Sequence, residues 1–189
     1  MKKSLFVSIL IVLMGGFFAL SVIADNNRHD RQDNILVKFK GGIGVIPISN
    51  VVVDATTGAV TSVNRNIVRG VNSPGQIWRI ADLKVIVKVN GHIRAAGQGL
   101  LLAGGNSIGT NANQSVRARL FCDTAVHESK LVALEANGVF KIDDILVPVS
   151  STDPAVPPNP CTNPVLLIVN SGGNWFAAGI PDLDDHHRD

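Results

Sequence analysis

Leu83-Lys84-Val85-Ile86-Val87-Lys88-Val89, then Asn90-Gly91, then His92-Ile93-Arg94-Ala95-Ala96-Gly97, is the stretch whose reading decides the fold. Apolar and polar residues alternate almost strictly as far as Val89, so successive side chains fall on opposite faces of a half-buried strand. A two-residue Asn-Gly loop would set Val89 against His92 and Val87 against Arg94, mixing apolar and charged groups on one face. Cross-strand partners share a face, and a slip of one residue exchanges the faces. A three-residue loop of Val89-Asn90-Gly91, with Gly91 in the left-handed region, instead pairs Val87 with Ile93, Val85 with Ala95 and Leu83 with Gly97. One face is then wholly apolar, and the other carries Lys84, Ile86, Lys88, His92 and Arg94.

The same grammar recurs from Leu131 to Ile142. There a loop of Ala136-Asn137-Gly138 pairs Leu134 with Phe140 and Val132 with Ile142. Val116 to Cys122 is a third alternating run. Before this block, a strand is expected from Ile35, broken at Gly41-Gly42, with Pro47 marking an edge strand or bulge. Val51 to Asp54 and Ala59 to Val63 flank the turn-forming Thr56-Thr57-Gly58, and Asn72-Ser73-Pro74-Gly75 suits a type II turn. After it, six prolines between Pro148 and Pro164 demand a stiff surface crossover. Val165 to Val169, apolar throughout, reads as a central strand covered on both faces, and Trp175 to Ile180 as the last strand. No helical period follows residue 24. The expectation is an all-β, antiparallel two-sheet β-sandwich, Greek-key-like, of roughly 9–10 strands.

Lys2-Lys3, an apolar run from Leu5 to Ala24 and a polar sequel from Asp25 describe a secretory signal peptide over 1–24. The alternative is an uncleaved membrane anchor. Polar tails are expected at 25–34 and 182–189, around a single domain over 35–181. The chain has 17 Lys and Arg against 15 Asp and Glu. Cleavage would remove Lys2 and Lys3 and leave the two signs balanced, so no global charge argues for nucleic acid. Cys122 and Cys161, the only cysteines, are expected to form one disulfide in an exported protein, periplasmic or extracellular.

Chemical motifs are sparse. The glycines from Gly97 to Gly109 lack the lysine of a phosphate loop and the third glycine of a dinucleotide fingerprint, so no cofactor is expected. His29 and Asp30 with Asp184, Asp185, His186 and His187 could hold a metal only if the two tails met. His127, beside Glu128 and Ser129, could serve a hydrolase whose site is assembled from loops. No nucleophile motif marks a partner for it, and no catalytic residue is assigned. The sharper expectation is a basic sheet face of Lys84, Lys88, His92, Arg94, Arg117 and Arg119. That face suits an acidic polysaccharide or an envelope protein and makes the chain a non-enzymatic binding or structural module. An ordinary solvated face is its alternative. Trp78, Trp175 and Phe176 are expected in the core rather than on a ligand platform.

Overall fold

The computed structural model describes residues 34–182. The expected leader and the histidines of both tails lie outside these residues. Fourteen strands are present and no helix is found among the described residues. They are β1 (Ile35–Gly44), β2 (Ile48–Val53), β3 (Val60–Arg65), β4 (Trp78–Arg79), β5 (Asp82–Lys88), β6 (His92–Gln98) and β7 (Leu101–Leu102). The chain continues through β8 (Ser115–Cys122), β9 (Ala125–Glu128), β10 (Val132–Ala133), β11 (Phe140–Ile145), β12 (Val147–Pro148), β13 (Val165–Asn170) and β14 (Trp175–Pro181). Every pairing between them is antiparallel.

Ten strands form one sheet in the order β11-β6-β5-β1-β14-β13-β8-β9-β12, with β10 also on β8. The strands at its two ends, β11 and β12, are parted in sequence only by Leu146, so one length of chain pairs β6 with its first half and β9 with its second. The sheet therefore curls back on itself into a nearly closed barrel. The expected division into two packed sheets is not confirmed. Closure satisfies strand edges that a sandwich would leave open.

The interior is filled by the inward half of each alternating strand: Phe39, Leu83, Val85, Val87, Ile93, Val116, Leu120, Phe140, Ile142, Leu166 and Ile168 are all buried. β5 and β6 pair as their pattern requires, Val87 with Ile93, Val85 with Ala95 and Leu83 with Gly97. Gly91 takes φ +81°, its N–H donates to the Lys88 carbonyl, and the Asn90 side chain accepts from His92 N at 3.1 Å. The turn at Ala136-Asn137-Gly138 repeats this chemistry: Gly138 has φ +76°, its N–H donates to Glu135 O, and Asn137 accepts from Val139 N. The ladder beyond it does not form as expected. β10 pairs with β8 and β11 with β6, so the second ribbon opens after its turn and its arms join different neighbours.

Two further expectations change. Gly41-Gly42 does not end the first strand; β1 runs through both glycines, with a register shift against β14 at Lys40-Gly41 before Gly42 pairs with Gly179. Gly75 lies outside the left-handed region that a type II turn needs at that position. β13 is buried over Leu166–Val169 between β14 and β8, as an all-apolar run requires. Trp78 and Phe176 stack at 4.0 Å between centroids, and both are buried with Trp175. The disulfide joins Cys122, at the end of β8, to Cys161 in the proline-rich crossover. Two small ribbons, β4 with β7 and β2 with β3, stand apart from the main sheet.

Candidate functional site

β1, β5, β6 and β11 are neighbours in the barrel wall, and their register lines up the outward residues. Phe39 turns inward, so Lys38 and Lys40 flank it on the outer face. One row across the four strands reads Lys40, Lys84, Ala96, Lys141, and the next reads Lys38, Ile86, Arg94, Asp143. Three inter-strand steps span about 14 Å. Between the rows lies a shallow hollow of about 340 Å³, with Ile86 and Ala96 in its floor and Lys84, Arg94, Lys141 and Asp143 around it.

The charges of this wall are only partly balanced. Lys84 meets Asp82 at 3.3 Å. Asp143 accepts from His92 Nε2 at 2.6 Å and from Arg94 Nε at 3.2 Å. The hydrogen bond from His92, and then the charge of Arg94, hold the Asp143 carboxyl below its ordinary value. Lys40, Lys88 and Lys141 have no ion-pair partner among the described residues. Lys40 stands directly across from Lys84, and like charges so placed repel each other.

The expected basic face is thus redrawn. Lys84, Lys88, His92 and Arg94 share the wall, but Arg117 and Arg119 do not join them. They sit on β8, separated from β5 by the three intervening strands β1, β14 and β13, and both close on Glu128 of β9. Glu128 Oε2 accepts from Arg117 Nη1 at 2.9 Å, and its other oxygen meets Arg119. Lys38, Lys40 and Lys141 take the place of these arginines. Their outward parity was visible in the alternations around Phe39 and around Phe140 and Ile142. What the local pattern does not encode is that β1 and β11 flank the β5–β6 ribbon.

His127 is fully buried, and its Nε2 donates to the Pro154 carbonyl at 2.8 Å, which ties β9 to the proline-rich crossover. Its Nδ1 is buried with no hydrogen-bond partner. The neighbouring acid, Glu128, is taken by two arginines, and the Ser129 hydroxyl accepts from Ala118 N and donates to Lys130 O. This neighbourhood is an anchoring network rather than a nucleophile with its base. A second hollow, of about 310 Å³, is rimmed by Gln76, Gln114, Asn170 and Asn174. The Asn170 amide donates to Gln114 Oε1 and accepts from Asn174 N, Gln114 donates to Ala112 O, and Trp78 and Phe176 beneath are 4% and 2% exposed, leaving no free ring face. No cluster of three metal-ligating side chains occurs among the described residues. The chain matches no protein-family model, no curated protein and no solved structure. Its functional reading therefore rests on the wall of β1, β5, β6 and β11.

Proposed function

We propose that the protein is an exported, non-enzymatic binding module whose basic wall takes an acidic polysaccharide. The observation that carries the reading is the row Lys40, Lys84, Lys141, with Arg94 and Lys88 beside it, around a hollow floored by Ile86 and Ala96. Repelling lysines set in register cost stability unless something neutralises them. A linear polyanion laid across the strands would do so, its charges meeting the lysines and its apolar sugar faces meeting Ile86. The disulfide fits an oxidising compartment, and export would bring the wall to envelope or extracellular polymers.

Polygalacturonate and dextran sulfate serve as acidic probes, with unsulfated dextran as the neutral control. Binding to the acidic probes should weaken steeply as salt rises, because contacts between exposed charges are screened. The variant Lys40→Glu/Lys84→Glu/Lys141→Glu should lower affinity on the order of 100-fold, about 3 kcal/mol. Equal binding by wild type and variant, or equal binding of neutral and acidic dextran, overturns the proposal. Selective capture of an acidic protein in place of either polymer would move the wall to a different class of partner.

A further inference from the structure

The β2–β3 ribbon is a two-stranded sheet separate from the main one. Both of its strands are exposed along their whole length. Val51 lies across from Val63 and Val53 across from Val60, so four valines share one face, each between 49% and 59% exposed. The opposite face carries Asn50 against Asn64 and Val52 against Ser62. One side of the arm is therefore mixed, with Asn50, Asn64 and Ser62 around the exposed Val52, and the other is a bare apolar stripe. At its foot Ile46 and Ile67, 62% and 55% exposed, carry the apolar surface onto the body. Contiguous patches of this kind mark association surfaces, and a two-stranded ribbon alone is barely stable in water.

The foot of the arm is clamped. Pro47 O accepts from Asn66 N and from the Ser73 hydroxyl, and Asn66 Nδ2 donates to Ile46 O. Arg65 donates to Ser73 O, and the buried Trp175 indole donates to Asn66 O. The arm is thus held out from the barrel by design of its base. Its strands carry no lysine or acid to guard their edges; the only charges on the ribbon are Asp54 at the tip and Arg65 at the foot.

We propose that two copies of this chain pack their β2–β3 arms together, valine stripe on valine stripe, antiparallel about a two-fold axis. Antiparallel placement sets the Asp54 tip of each arm over the Arg65 foot of the other. The opposite charges then meet twice, as a two-fold interface requires. The stripe is self-complementary and carries no charge of its own. A lipid surface is a poorer match, because the arm has no aromatic residue and no lysine to sit at a headgroup layer.

Sedimentation equilibrium of the purified protein, over a wide concentration range, should give a dimer. The variant Val51→Lys/Val63→Lys should be monomeric, with an unchanged far-ultraviolet circular dichroism spectrum and an intact disulfide. Asn50→Lys/Ser62→Lys, on the opposite face, should remain dimeric and so controls for charge and for folding. A monomeric wild type, a dimer that survives the valine substitutions, or equal loss of the dimer in both variants overturns the proposal. So does a wild type that stays monomeric and floats with neutral phospholipid vesicles, which would assign the stripe to lipid.

Discussion

Asp143 receives two donors, His92 and Arg94, on a surface otherwise dominated by cations. Because its pKa is lowered in the folded chain, the folded state binds the proton less tightly than the unfolded state does. Its contribution to stability is therefore complete above the ordinary value of 3.8 and is lost as pH falls through the lower, folded value. Urea midpoints of wild type and Asp143→Asn, followed across pH, should differ most at neutral pH. They should converge below 3.8. A difference that stays constant with pH would show that the two bonds do not depend on the carboxylate charge. At this scale the sequence is informative about which side chains face out, and nearly silent about their partners. Glu128 on β9, five strand pairings along the sheet from β5, draws Arg117 and Arg119 into an ion cluster of their own, away from the β5–β6 ribbon.

Elements are legible where local chemistry is enough to determine them. The β5–β6 ribbon needs only its own alternation and Asn90-Gly91, and its pairs are those that the pattern demands. The second ribbon has the same turn, but its ladder is decided by β8 and β6, which compete for its arms from outside the segment. Gly97 shows what the pattern does encode once the partner is known. It pairs with Phe140, and a Cβ at Gly97 would lie 2.1 Å from the Phe140 ring. The missing side chain is the space that the ring occupies. Gly97→Ala should therefore destabilise by about 1–3 kcal/mol, since the core is already filled there. In a Phe140→Leu background the same change should cost less, and a double-mutant cycle in urea measures the coupling. Additive costs would show that ring and glycine are independent.

At the scale of the whole molecule, the disulfide is the one covalent tie between the barrel and the long crossover from β12 to β13. Its sequence separation is 39 residues. Closing a loop of that size stabilises by about 4 kcal/mol in the chain-entropy account. Cys122→Ser/Cys161→Ser should lose an amount of that order in chemical denaturation. Added reductant should weaken wild type and leave the variant unmoved. Barrel closure itself was beyond local reading, because a barrel and a sandwich use the same alternating strands and differ only in which edges meet. The order of strands has one more consequence. β14, the last strand among the described residues, lies between β1, the first of them, and β13. β1 thus waits for β14, and until Trp175–Pro181 is delivered the wall has a gap with two unpaired borders. A nascent or clipped chain lacking that piece would offer those borders to any neighbouring strand, so the last seven residues of the barrel act as its latch.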